Sequence, residues 1–240
     1  MTANCGCGCD LEGPFDERTV RGDLEAYRQH GTPTPTRRLV KLLRSGGIRG
    51  RTFLDIGGGV GAIHHDLLDA GAAAVTDVDG SATYLAAASA EARRRGHQGR
   101  IRYRHGDFVE LSDDIEPSDV VTLVAVLCCY PRMEPLVRAS AAHARRRYGL
   151  VYPRSAWWMR AAAAVYRALG RVGAGPGFVH AEEDVRRVIR DEGFDLRAEA
   201  STWYWRVELY ERIASGRTRA AARGAGDVAS HPNNGPRTPS

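Results

Sequence analysis

The chain has 240 residues, 43% of them apolar, enough for one sizeable core with small appendages. Its formal charge of +5 rests almost wholly on arginines spread along the chain, with Lys41 the only lysine, a pattern of codon bias in a GC-rich genome rather than of a nucleic-acid footprint. No segment reaches the roughly 18 uninterrupted apolar residues of a membrane span, the first residues lack the basic-then-apolar layout of a secretory signal, and five cysteines in two groups make no disulfide framework, so a cytoplasmic, reducing setting is expected.

Residues 1–15 are rich in Gly, Cys and acids without periodicity, and residues 215–240 are rich in Gly, Ala, Pro, Asn and Ser. Both are expected as flexible ends of one domain over residues 16–214. A helical stretch over 19–27 comes first, ahead of a turn region over 31–36, and Tyr27 and Arg28 are expected to point inward and close a ligand site. Short β-branched or aliphatic runs predict strands over 52–56, 73–78, 101–105, 119–126 and 149–152. Helices over 61–70, 81–95, 133–146 and 156–171 alternate with them, as in a parallel sheet covered on both faces. A helix over 181–192 then precedes strands over 195–202 and 204–212, whose connection is too short for a parallel crossover, so they form an antiparallel hairpin.

The strongest local signal is Leu54-Asp55-Ile56-Gly57-Gly58-Gly59-Val60-Gly61, an apolar strand ending in an acid and running into a glycine loop that opens a helix. Glycines let the backbone pass close to a ligand, and the helix start offers free N–H groups. Spacing alone leaves two readings, because Gly57-x-Gly59-x-x-Ala62 with Asp79 beyond it also satisfies the dinucleotide fingerprint. Other features favour a cationic nucleoside without phosphates. Asp55 stands before the loop, where a pyrophosphate is repelled and an ammonium or sulfonium attracted. Val78-Asp79-Gly80-Ser81 ends the second strand with a carboxylate suited to both ribose hydroxyls, and Gly106-Asp107-Phe108 ends the third with an acid for an adenine amine and a ring for its face.

On these residues the chain resembles the class I S-adenosylmethionine-dependent methyltransferases, with matches from about Thr19 to Arg212. Asp55-Ile-Gly-Gly-Gly-Val-Gly is similar to that family's first motif, Asp79 to its ribose acid, and Gly106-Asp107-Phe108 to its adenine contact. The resemblance implies an α/β fold of Rossmann-like, doubly wound type, with a seven-stranded, mostly parallel sheet and an antiparallel last strand. It also implies S-adenosyl-L-methionine as cofactor, held by Asp55, Gly57, Gly58, Gly59, Gly61, Asp79, Ser81, Asp107 and Phe108. More narrowly, Asp119-Val-Val-Thr-Leu, Cys128-Cys129-Tyr130-Pro131, Tyr152-Pro153-Arg154 and Trp157-Trp158 resemble a bacterial group labelled magnesium-protoporphyrin methyltransferase-like. Val124 and Ala125 depart from it, since a polar pair is expected after Leu123.

A sulfonium is already an activated methyl donor, so the protein chiefly aligns the acceptor and excludes water. If a base is used, His64, His65 and Tyr130 are the candidates by position, and Asp77 competes with Asp79 for the ribose. The acceptor is expected to be a small, aromatic or apolar molecule rather than nucleic acid, since the sequence patterns of base methyltransferases are absent. Residues 154–173 have the composition of an amphipathic helix that suits either peripheral contact with a lipid interface or a lid over the pocket. Cys5-x-Cys7-x-Cys9 lacks a fourth metal ligand at a recognisable spacing, so no metal is assigned. The alternatives are an NAD(P)-dependent oxidoreductase using the same glycine loop and a methyltransferase-like binding protein without turnover.

Overall fold

The computed structural model describes residues 15–155 and 178–214. Two helices, α1 (Glu17–His30) and α2 (Thr34–Ser45), precede β1 (Thr52–Ile56). The chain then alternates through α3 (Ala62–Asp69), β2 (Ala74–Asp79), α4 (Ala82–Arg95), β3 (Ile101–His105), the single turn α5 (Phe108–Leu111), β4 (Ser118–Val124), α6 (Met133–Ala142) and β5 (Ala144–Pro153). After α7 (Glu182–Asp191), β6 (Phe194–Ser201) and β7 (Trp205–Arg212) complete a seven-stranded sheet of order β3-β2-β1-β4-β5-β7-β6. Of its strands β7 alone runs opposite to the other six, pairing antiparallel with β5 on one side and β6 on the other. This is the α/β architecture the sequence predicts, including the terminal hairpin.

Alternation along the strands feeds two cores, one on each face. Leu54, Ile56, Val121, Leu123 and Leu150 pack with α6 and α7 residues such as Leu136, Val137, Val185 and Ile189. Phe53, Val75, Val120, Val151 and Val207 pack on the other face with Leu39, Leu43, Ile63 and Leu67 from α2 and α3. Each fully buried aliphatic side chain contributes about 1.5–3 kcal/mol, so period-two patterning on both faces fixes the register of the central strands.

Three boundaries differ from the sequence expectation. The helix expected over 133–146 stops at Ala142, and β5 starts at Ala144, because this stretch pairs with β4 through Ser118↔Ala144 and Val120↔Arg147. Sheet pairing overrides the helix propensity of the arginines. The helix α2 has no counterpart among the predicted elements. It begins with Pro35 in its first turn and buries Leu39, Val40 and Leu43, and Pro33 with Pro35 reads locally as a turn. The strand expected to reach Val126 ends at Val124, and Ala125 takes a left-handed φ of 60°. The amphipathic segment over 156–171, the N-terminal cysteines and both expected flexible ends lie outside the described residues, apart from Phe15.

Candidate active site

The carboxyl ends of the parallel strands, where ligands bind in open α/β sheets, border a cavity of about 730 Å³. Asp55, the glycine loop, Asp79, Ser81, Asp107 and Phe108 line it, together with Tyr27, Tyr84, Val124, Tyr130 and Trp205. Of the sequence-predicted cofactor residues, all but Gly61 line this cavity. Helix α1 also lines the cavity, through Asp23, Ala26, Tyr27 and His30, with the Tyr84 hydroxyl donating to Asp23 at 2.5 Å. Neither Tyr84 nor Asp23 carries a sequence signal, because their pairing spans a helix–helix contact.

The loop geometry explains its glycines. Gly61 is the N-cap of α3 at φ 78°, ψ 20°, a conformation costly for other residues, and no side chain caps that helix, so its first N–H groups stay free for a ligand. A Cβ on Gly58 would lie 2.5 Å from Asp77 Oδ1 and 2.7 Å from His64 Nε2, so the loop rests directly on buried polar atoms.

Those atoms form a row across three neighbouring strands. Asp77, Asp55 and Thr122 stand opposite one another in the register of β2, β1 and β4. The Thr122 hydroxyl donates to Asp55 Oδ1 at 2.6 Å, and His64 Nε2 lies 2.9 Å from Asp55 Oδ2 and 3.9 Å from Asp77 Oδ2. All four side chains are almost completely buried. Burial opposes a charge on His64, but the Asp77 and Asp55 carboxylates outweigh it and raise its pKa. Burial likewise pushes Asp77 up to about 8 despite the attraction of His64. Asp55, expected to attract a cationic ligand, lines the cavity while its carboxylate also accepts from Thr122 and meets His64. Thr122 was legible as a polar residue inside an apolar strand.

His64 and His65 are not part of the cavity wall, which removes both as acceptor-facing bases. His65 Nδ1 meets His97 Nδ1 at 2.9 Å and its ring stacks on Tyr27, and burial lowers its pKa to about 3. Tyr27 is turned inward as predicted. Arg28 is not: its guanidinium pairs with the buried Glu91 at 2.9 Å and is partly in solvent.

Asp79 Oδ2 accepts the Gly59 N–H at 3.0 Å and Oδ1 accepts the Ser81 N–H at 2.9 Å, so one carboxylate ties the glycine loop to the start of α4. Burial raises its pKa, opposed by these two N–H groups. The Ser81 hydroxyl caps α4 by accepting from the Tyr84 N–H. Asp107 caps α5 through the Val109 N–H at 2.9 Å and accepts from the Tyr130 hydroxyl. Phe108 is buried, its ring in a T-shaped contact with His143. Among the described residues no group of three or more His, Cys, Asp or Glu is placed to hold a metal ion, and no helix is long and apolar enough to cross a membrane.

Residues 53–147 match the family described as a methyltransferase domain. Sheet order, reversed β7 and this match agree: residues 53–147 are similar to a methyltransferase domain, and the match favours that reading of the glycine spacing over a nicotinamide-dependent oxidoreductase. Among solved structures it is similar to magnesium protoporphyrin IX methyltransferase (ChlM) from Synechocystis PCC 6803 with bound SAH, at 23% identity and a TM-score of 0.62, covering 80% of this chain and 86% of that one. It is also similar to an O-methyltransferase family 2 protein from Planctomyces limnophilus in complex with apigenin, at 20% identity and a TM-score of 0.61, covering 82% and 62%. A TehB-like SAM-dependent methyltransferase from Corynebacterium glutamicum shares 16% identity at a TM-score of 0.57, covering 82% and 97%. At these identities the likeness is one of fold. No curated protein sequence matches the chain.

Proposed function

We propose that the protein transfers the sulfonium methyl of S-adenosylmethionine to a small, aromatic or apolar acceptor in the cavity at the carboxyl ends of β1, β2, β3 and β4. The observation that carries this reading is the charge of the lining: four carboxylates, Asp23, Asp55, Asp79 and Asp107, against the basic side chains of Arg37 and His30. Such a surround favours a phosphate-free cationic nucleoside over a diphosphate. Gly57, Gly58, Gly59 and Gly61, with the first N–H groups of α3, hold the amino-acid end of the cofactor, while Asp55 braces the loop through His64. Asp79 accepts from the ribose hydroxyls, with Ser81 fixing the turn behind it. Asp107 accepts from the adenine amine and Phe108 supplies apolar surface.

The acceptor lies against Val124, Val126, Tyr130, Val151 and Trp205, an apolar stretch of the same wall. The Tyr130 hydroxyl is committed to Asp107, so alignment and exclusion of water, rather than a dedicated base, supply the acceleration. The dispersed arginines and the free thiols of Cys128 and Cys129 support a cytoplasmic setting without nucleic acid.

Calorimetric titration of the full chain with S-adenosylhomocysteine and with NAD tests the reading. S-adenosylhomocysteine is expected to bind and NAD not to. The reverse result ends the proposal, and cofactor binding without turnover across a panel of phenols and other aromatic acceptors would point instead to a binding protein on the same fold.

A further inference from the structure

Cys128 and Cys129 belong to a short 3₁₀ turn, Leu127–Cys129, at the edge of the cavity, and Cys129 is part of its wall. Ala125 sets their arrangement. At φ 60° it occupies the left-handed region, its N–H is bound by the Val151 carbonyl at 2.8 Å, and its own carbonyl accepts from Cys128 Sγ at 3.1 Å and from Cys129 Sγ at 3.8 Å. Both thiols are thereby gathered on one side of the turn, with their sulfurs 3.8 Å apart and each side chain partly open. The Cys128 backbone is fixed from the other side by the Phe178 N–H, and His180 Nε2 bridges the carbonyls of Leu127 and Tyr130.

This separation discriminates between two uses of a thiol pair. Adjacent residues joined by a trans peptide have Cα atoms about 3.8 Å apart, shorter than the roughly 4.4–6.8 Å that an unstrained disulfide spans. Closing a bond between these sulfurs would distort the turn. Two thiolates on a tetrahedral soft cation behave differently: bonds of about 2.3 Å meeting at the tetrahedral angle set the sulfurs about 3.8 Å apart. The pair stands at that spacing without movement. The charge nearby has the right sign for a cation, since Asp79 lines the same cavity as Cys129.

We infer that Cys128 and Cys129 form a two-thiolate binding site for a soft, thiophilic divalent cation, open to the cofactor cavity. Two sulfur–metal bonds form, each thiol gives its proton to solvent, and no electron is transferred. The remaining coordination positions are left to water or to a molecule in the cavity. The inference does not rest on methyl transfer, and its failure would leave the proposed function standing.

The test uses the full chain with Cys5→Ser, Cys7→Ser and Cys9→Ser, which removes the other three thiols. Titration with Cd²⁺ is expected to give one equivalent of sulfur-to-cadmium charge transfer in the ultraviolet, displaced by Zn²⁺. Adding Cys128→Ser or Cys129→Ser is expected to weaken binding by at least about tenfold with the circular dichroism spectrum unchanged. No charge-transfer band in the triple variant, or a band that survives loss of either cysteine, overturns the inference. If a serine variant fails to fold, protection decides. Bound Zn²⁺ must then slow alkylation of both Cys128 and Cys129 by iodoacetamide in the triple variant, and equal alkylation with and without Zn²⁺ overturns the inference as well.

Discussion

The Tyr130 hydroxyl donates to the Asp107 carboxylate, 2.9 Å from Oδ2 and 3.2 Å from Oδ1, and so joins the segment after β4 to the end of β3. Both residues are buried at the cavity wall, and Asp107 also holds the start of α5. Replacing Tyr130 with Phe keeps the ring and removes one hydrogen bond of about 1 kcal/mol. The expected outcome is S-adenosylhomocysteine binding weakened a few-fold, read by calorimetry. Affinity equal to that of the parent would mean that the orientation of Asp107 does not matter to the ligand.

Asp79 has a double task, because the carboxylate that faces the cavity also holds the Gly59 and Ser81 N–H groups. Asp79→Ala is expected to weaken cofactor binding by about 1–3 kcal/mol, the cost of buried polar groups left unpaired. Unchanged affinity would show that the ribose lies elsewhere.

The buried cluster beneath the loop predicts a dependence of stability on pH. His64 and Asp77 both have pKa values raised in the folded protein, Asp77 from 3.8 to about 8. The native state therefore holds more protons than the unfolded chain between these limits. A raised folded pKa gives stability that is complete below the unfolded value and lost as pH rises through the folded one. Thermal unfolding should consequently fall in midpoint between about pH 4 and pH 8, and Asp77→Asn should flatten that slope. A slope as steep in the variant as in the parent would remove Asp77 from the account.

At the far end of the sheet, Glu208 is fully buried on β7 and accepts from Arg186 at 2.5 and 2.7 Å, from Tyr152 at 2.9 Å and from Tyr210 at 2.6 Å. Truncating Arg186 to Met leaves this buried carboxylate without its cation. The expected loss is about 3 kcal/mol of unfolding free energy, at the lower end for a broken buried pair because Arg186 is partly exposed. Denaturant unfolding measures it, and the double variant Arg186→Met with Glu208→Gln should recover part of the loss.

The sequence by itself determined the strands and the terminal hairpin, because period-two apolar runs, a glycine loop after the first and a two-strand ending too short for a crossover leave few topologies open. It also placed Asp55, Asp79 and Asp107 at strand ends, since strand position follows from local pattern. Tertiary structure alone decided what their carboxylates do. Asp55 is opposed by Thr122 because β1 lies beside β4, 67 residues away in the chain, and His64 turns beneath the loop rather than toward the cavity because α3 packs onto that same row. The side-by-side thiols of Cys128 and Cys129 likewise depend on the strained backbone of Ala125, which β5 holds in place through Val151. Strand order and side-chain partners at long separation are set by packing, and no local pattern in the chain encodes them.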